Sequence, residues 1–303
     1  LFFLLSALIL VPGVISLVRH GVPLAIDFTG GALWEIAFDD ASKASEALVR
    51  EAYAANGLDE AQVLEAETVE GSGLRYQIRS ASFDVERKAA IEAELTEKAG
   101  AFTELRFDSV GPSVGREMTK NATIAVAMAA IGILLYLTWQ FRSVPHSVRY
   151  GVCAIVAMVH DVLIILGLAS IAGHYLEWEV DALFLTALLT VIGFSVHDTI
   201  VVFDRIRENV GRLRGVRFDR VVNHSIIQTL DRSINTQLTA LLALFAVYVF
   251  STGQLERFVF WLILGLVSGT YSSIFNASPL LVVWENREWR DWFGRRKRRE
   301  AAV

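Results

Sequence analysis

Three pairs of adjacent polar residues stand in or at the edge of stretches that are otherwise apolar: His160-Asp161, His197-Asp198 and Asp231-Arg232. Ionisable groups in such surroundings are expensive to bury and rare, so by default they mark function. A carboxylic acid in low dielectric is pushed toward its neutral form, whereas a nearby Arg favours the ionised form. A group balanced between the two can load and release protons. The bland alternative for Asp198 and Arg232 is a static buried ion pair that holds two helices together. For His160 and Asp161, structural packing and a proton relay stand level. Arg232, Thr236 and Thr239 fall at i, i+4 and i+7, which puts them on one helical face. Such a face is expected to look into a helix bundle, not into lipid.

Bond-breaking chemistry fits these residues poorly. A metalloprotease needs His-Glu-x-x-His, which is absent. An intramembrane aspartyl protease would carry Gly-x-Gly-Asp, but Asp198 follows Gly193-Phe194-Ser195-Val196-His197. The same run lacks the second glycine of a Gly-x-Ser-Gly serine site. Two His-Asp pairs could in principle hold a metal, yet adjacent helical residues point about 100° apart and rarely both ligate. The expectation is no catalytic residue, no metal and no cofactor.

The elements that place these groups are legible from composition. The chain has 303 residues, 53% of them hydrophobic, with a mean hydropathy of +0.44 and charged residues at 20%. That is more apolar sequence than one soluble core absorbs. One cysteine closes no internal disulfide, and a net charge of −5 argues against nucleic acid. A bilayer core of ~30 Å needs ~20 apolar residues. Six stretches meet or nearly meet this: Leu1 to Val18, Ala122 to Trp139, Tyr150 to Ile171, Ala182 to Phe203, Ser233 to Phe250 and Phe258 to Trp284. The first is short and begins without Met, so the chain is expected to start inside its first helix. A cleavable signal is its rival, but Val11-Pro12-Gly13 followed by Arg19-His20 is a poor cleavage site.

Basic residues between the spans set an orientation. Sixteen Lys and Arg follow spans two, four and six, ending in Arg295-Arg296-Lys297-Arg298-Arg299, whereas the opposite short loops hold Glu177, Glu179, Asp181 and Glu256 against Arg257 alone. The even loops and the C-terminus are therefore expected in the cytoplasm, and residues 19–117 outside it. That exported segment carries ten basic and nineteen acidic residues, a net of −9 that leaves +4 for the membrane body. Its pattern reads strand (Gly31 to Phe38), helix (Ala41 to Asn56), strand (Gln62 to Val69), a turn at Gly71-Ser72-Gly73, strand (Leu74 to Ser80), helix (Asp84 to Ala99, capped by Ser82) and strand (Thr103 to Ser109). The order βαββαβ is ferredoxin-like.

The expected fold is thus a polytopic α-helical membrane protein with a small α+β ferredoxin-like extracytoplasmic domain. Its parts are a first helix (1–18), the exported domain (19–117), a five-helix region (118–284) with a cytoplasmic loop (205–232), and a basic tail (285–303). Asp204-Arg205 is expected to cap the cytoplasmic end of span four. Phe218, Val221, Val222, Ile226 and Leu230 suggest an amphipathic cytoplasmic helix leading into span five. Gly265, Gly269 and Ser273 form a small-residue packing face, and Cys153 is a small apolar filler. The basic tail orients the chain, with binding to anionic membrane lipids also open to it.

Three motifs resemble the SecF family of bacterial and archaeal protein export: Asp27-Phe28-Thr29-Gly30-Gly31, Ser109-Val110-Gly111-Pro112-Ser113-Val114-Gly115, and Val191 through His197-Asp198-Thr199-Ile200-Val201-Val202-Phe203-Asp204-Arg205 to Asn209. Thr229-Leu230, Arg232-Ser233 and Asn235-Thr236 match its fifth helix. The resemblance implies an RND-type half-bundle that pairs with SecD, beside the SecYEG channel and after the SecA step, and that uses the proton motive force to move unfolded preprotein. It implies Asp198 as proton carrier and Arg232 as its partner; His197, Asp161, His160, Thr236 and Thr239, from their place within the apolar stretches, are the further candidates for the proton pathway. Asp27, Gly30 and Gly31 would be a hinge to the exported domain. An RND-like exporter of small molecules or lipids and a non-transporting scaffold are the alternatives.

Overall fold

The computed structural model describes residues 2–39, 43–66, 74–142 and 147–286. The expected Gly71-Ser72-Gly73 turn, the start of the first domain helix at Ala41, the end of the second strand and the basic tail lie outside them. The chain divides into two compact units, Leu24–Thr123 and a second made of Leu1–Pro23 with Ile124–Val303.

The first unit contains a single helical turn α2 (Ile26–Thr29), then β1 (Gly31–Phe38), α3 (Glu46–Ala55), β2 (Gln62–Ala66), β3 (Arg75–Ser80), α4 (Val85–Ala99) and β4 (Phe102–Val110). The antiparallel sheet has the order β2-β3-β1-β4, the ferredoxin-like arrangement that the pattern implied. Period-two alternation on β1 turns Trp34, Ile36 and Phe38 inward, where Tyr53 of α3 and Ile91 and Leu95 of α4 cover them. Ser45 caps α3 by accepting from Leu48 N, and the cap of α4 is Asp84, which accepts from Arg87 N at 2.9 Å. Ser82 does not cap α4. A carboxylate next to the first helical residue reaches the free N–H groups that Ser82 stands too far back to meet.

Glycines shape the segment before β1. Gly30 (φ 74°) donates its N–H to Ile26 O at 2.8 Å, and Gly31 follows at φ 127°. A Cβ on Gly30 would lie 2.9 Å from Pro112 Cα, and one on Gly115 would lie 2.7 Å from Gly30 N. With Asp27 in the same turn, this is a tightly packed bend in which L side chains have no room.

The second unit contains α1 (Phe2–His20), α6 (Ser147–Leu176), α7 (Ala182–Arg212), α8 (Phe218–Phe250), α9 (Gly253–Ser272), a π-helical turn (Ser273–Ala277) and α10 (Ser278–Glu285); α5 (Pro112–Gln140) supplies its remaining helix. Among the described residues, six helical stretches are long and apolar enough to cross a membrane, the last formed by α9, the π turn and α10 together. The turn sits just before Pro279, which has no N–H to donate to the carbonyl four residues back.

Two helices run further than their apolar stretches. The Asp204-Arg205 pair does not cap α7, which continues to Arg212 because Asp204 pairs with Arg207, and Glu208 with Arg205 and Arg212, one turn apart. The amphipathic segment from Phe218 is no separate element either: it is the start of α8, which passes unbroken through Asp231-Arg232 to Phe250.

Small residues set the helix crossings. Gly265 packs on Val191, Gly269 lies against Ser195, and Ser273 bonds to Thr199, so the expected small-residue face of α9 and the π turn rests on α7. Gly13 of α1 meets Gly167 of α6, and Ser16 and Ser170 share a hydrogen bond of 2.9 Å one turn on. Cys153 is buried among Leu137, Phe141, Tyr150 and Phe203. Half of the spanning window is buried in α6, α7 and the last stretch, against 6% in α5 and 11% in α8, so α5 and α8 offer most of their surface outward.

Replacement of Gly167 by Val should loosen α1, because a Cβ there would lie 2.7 Å from Gly13 Cα. Overpacking of this kind costs about 1–3 kcal/mol. Thermal unfolding in detergent should show a lower midpoint for Gly167→Val, with Gly132→Ala, which meets nothing within 4 Å, unchanged or slightly higher.

Candidate functional site

Asp161 of α6 is the most heavily bonded side chain of the second unit. Its Oδ2 accepts from Ser195 Oγ of α7 and Ser272 Oγ of α9, both at 2.6 Å, and its Oδ1 accepts from Ser268 Oγ of α9 at 3.0 Å and from His160 Nδ1 at 3.2 Å. A carboxylate offers about four acceptor sites, and all four are occupied. The residue is 1% exposed. From His160 the network runs on: Asn276 Nδ2, in the π turn, lies 3.2 Å from His160 Nε2 and donates to Ser6 Oγ of α1 at 2.8 Å. Donation by Nδ1–H to Asp161 and acceptance at Nε2 from Asn276 describe one neutral tautomer of His160. One carboxylate therefore ties α6, α7 and α9 directly, and the π turn and α1 through His160.

Asp198 is the contrasting case. It lies on the buried face of α7, 3% exposed, and its Oδ2 has no hydrogen-bond partner among the described residues. Asp181 caps the far end of α7, accepting from Phe184 N at 2.7 Å, so Asp198 stands about 25 Å along the helix from that end. His197 points to the exposed side, as the ~100° step between neighbours requires. The structure does not bring the two together.

The opposing surface belongs to α8. Asn209 of α7 donates to Ser225 Oγ and Gln228 Oε1 of α8, each at 2.9 Å, which fixes the antiparallel register of the two helices. The buried polar residues of α8 are Ser225, Thr229, Ser233 and Gln237. Arg232, Thr236 and Thr239 are exposed, with the two hydroxyls donating to the Arg232 and Asn235 carbonyls at 2.8 Å each. The expectation that their face looks into the bundle therefore fails within this chain, and Arg232 and Asp198 form no ion pair among the described residues. One residue of rotation decides it: Ser233, not Arg232, turns inward. Sequence reasoning also passed over Ser195, Ser268, Ser272, Asn276 and Gln237, of which only the i+4 run from Ser225 to Gln237 carried a readable signal.

Residues 90–287 match the family described as protein export membrane protein SecD/SecF, C-terminal. The chain is 48% identical to the protein translocase subunit SecF of Thermobaculum terrenum across all of its own length and 96% of the relative, and 48% identical to that of Anaerolinea thermophila across 97% and 95%. The chain belongs to the SecF family. It is a multi-pass membrane protein and a protein translocase subunit, which sets aside the small-molecule exporter. It also resembles the crystal structure of SecDF, a translocon-associated membrane protein from Thermus thermophilus, at a TM-score of 0.77 and 33% identity, over 93% of this chain and 37% of that one. A SecF chain thus corresponds to part of a longer SecDF polypeptide.

The two buried Asp residues should separate in stability. Asp161→Asn replaces a four-fold acceptor by an amide whose NH2 faces hydroxyl donors, a change of roughly 2–4 kcal/mol where hydrogen bonds to charge are lost. Asp198→Asn removes no bond at Oδ2. Detergent melting curves should fall well below wild type for Asp161→Asn and stay within a degree or two for Asp198→Asn.

Proposed function

We propose that this SecF-family chain pairs with SecD and uses the proton motive force to drive late steps of preprotein translocation, with Asp198 as the proton carrier. The observation that carries the reading is a buried carboxylate in a membrane-spanning helix with an oxygen that no protein group satisfies. Such a group keeps an acceptor site open to a proton, whereas Asp161, with every acceptor site filled, is suited to hold helices in place. In this reading His160 and Asp161 serve the carrier by positioning α7 through Ser195.

Orientation follows from charge. The ends of α7 and α8 that carry Arg205, Arg207, Arg212, Arg214, Arg217 and Arg220 lie in the cytoplasm, and the acidic unit Leu24–Thr123 lies outside. Outside the cytoplasm no ATP is at hand, so the gradient is the available source. One proton crossing ~100 mV yields ~2.3 kcal/mol. Driving a two-state element from 1:99 to 99:1 takes ~5.5 kcal/mol, so about two to three protons serve one full swing. Arg232, exposed on α8, is placed to meet the SecD half, and it would reach Asp198 only in another conformation. In this reading Asp27, Gly30 and Gly31 serve as the hinge of the outer unit. The wider partners are the SecYEG channel, SecA upstream, the unfolded preprotein and membrane lipids.

The test is translocation in inverted vesicles containing the SecD–SecF pair. Asp198→Asn should abolish gradient-dependent completion of export and proton flux, with Asp198→Glu retaining part of both. Undiminished flux in Asp198→Asn ends the carrier reading. Arg232→Met should lower gradient-dependent export at least tenfold and Arg232→Lys less, and full export by Arg232→Met removes Arg232 from the mechanism.

A further inference from the structure

Ser225, Thr229, Ser233 and Gln237 recur every four residues on α8 and are all buried, so they form one polar line that winds from the α7 side at Ser225 toward α9 at Gln237, which shares a cavity with Val267, Thr270 and Ile274. Their depth relative to Asp198 follows from the antiparallel register. Asn209 is opposite Ser225 and Gln228. Asp198 lies eleven residues back along α7, and the same number forward on α8 leads to Thr236 and Thr239, which flank Gln237. Gln237 therefore stands level with Asp198, and Ser233 about one turn nearer the Arg-rich end.

A second observation distinguishes this line from an ordinary run of small residues. Of the five Ser and Thr in α8, four donate to the carbonyl four residues back, the usual refuge of a helical hydroxyl. Ser233 does not: its Oγ is buried without a partner, as are Gln237 Oε1 and Asp198 Oδ2. Their residues are 2%, 5% and 3% exposed. Three buried oxygens on adjacent helices, at neighbouring levels, thus have no partner among the described residues, and buried polar atoms of this kind are where ordered water binds.

We infer that this line is the route by which protons pass between Asp198 and the Arg-rich side of the membrane, carried by water held between successive side chains. The inference rests on Asp198 as the carrier. Side chains four apart on a helix stand ~5–6 Å from one another, twice a hydrogen-bond length of ~2.8 Å, so one water bridges each step. From Gln237 to Ser225 the line covers ~18 Å, more than half the ~30 Å of a bilayer core. At its end Asn209 donates to Ser225 and to Gln228, and Gln228 Nε2 lies 2.9 Å from Nε2 of the exposed His224, where the route opens to solvent. Thr229 and Ser225 use their protons within α8 but keep oxygen lone pairs for the bridging water. At each step one O–H bond forms on a bridging water as another of its O–H bonds breaks, so every water ends neutral and one proton has moved along the line.

The experiment uses the SecD–SecF complex in vesicles. The double variant Ser233→Ala with Gln237→Leu should cut proton flux at least tenfold while the complex assembles and melts as wild type, and Ser233→Thr should restore flux. Leu242→Ala, on the exposed face, should change nothing. In a Cys153→Ala chain, single cysteines at Thr229, Ser233 and Gln237 should react with a small charged thiol reagent from the Arg-rich side. Wild-type flux in the double variant, with flux lost in Asp198→Asn, places the route elsewhere and overturns the inference while the carrier reading stands. Cysteines that stay unreactive from that side overturn it as well. Flux that survives Asp198→Asn removes the carrier and this route together.

Discussion

A carboxylate enclosed by a helix bundle has to be met by donors, and the way Asp161 is met sets the rest of the membrane unit. Three serine hydroxyls and one imidazole converge on it from α6, α7 and α9. Removing one partner of a buried charge leaves the other uncompensated, at several kcal/mol. The helices are consequently held to one mutual register. Ser195, fixed by Asp161, stands one turn from Asp198 on the same helix, so the depth and facing of Asp198 depend on a bond made by another residue. The small residues follow the same constraint. Hydroxyls of Ser268 and Ser272 reach Asp161 only if α9 closes on α7 to glycine distance, and Gly265 against Val191 and Gly269 against Ser195 allow that approach.

The π turn resolves a conflict between this closeness and helical periodicity. Ser272 faces Asp161, Ser273 bonds to Ser195 O and Thr199, and Asn276 faces His160 and Ser6. An undisturbed α-helix would sweep these positions around its axis. One wider turn widens the arc that faces α1, α6 and α7, and Pro279 just beyond it removes a donor that a regular helix would need. Hydrogen-bond loss at the proline and functional aim of the side chains meet in the same turn.

The sequence makes plain what depends on length, charge and period. Six apolar stretches, the acidic segment between the first two and the βαββαβ order are visible in it because each is carried by many residues at once. Facing is where it falls short. On α8 two polar stripes lie one residue apart, Arg232-Thr236-Thr239 and Ser225-Thr229-Ser233-Gln237, and periodicity identifies both without saying which turns inward. The conspicuous arginine drew the choice toward the outward stripe. The serines around Asp161 are silent for another reason: within apolar runs a serine reads as a small filler, and only the fold reveals three of them aimed at one carboxylate. Helix ends differ in kind: charge at Asp204 suggests an end, whereas i,i+3 and i,i+4 pairs carry α7 on to Arg212.

The same division of labour bears on what can move. The helices tied to Asp161 share a network whose rearrangement would strand buried polar groups, so they favour a single arrangement. By contrast α8 is attached to α7 through polar bonds at the Asn209 end, and near the level of Asp198 the buried oxygens of Ser233 and Gln237 have no partner among the described residues. Only a small share of its spanning window is buried in this chain. In the proposed function, a proton arriving at Asp198 would turn an acceptor into a donor at the level of Ser233 and Gln237, while every bond at Asp161 stays as it was. In the proposed function, protonation at one carboxylate would thereby act on one of the two least buried helices of the bundle, and the other carboxylate would keep the frame against which that helix is displaced.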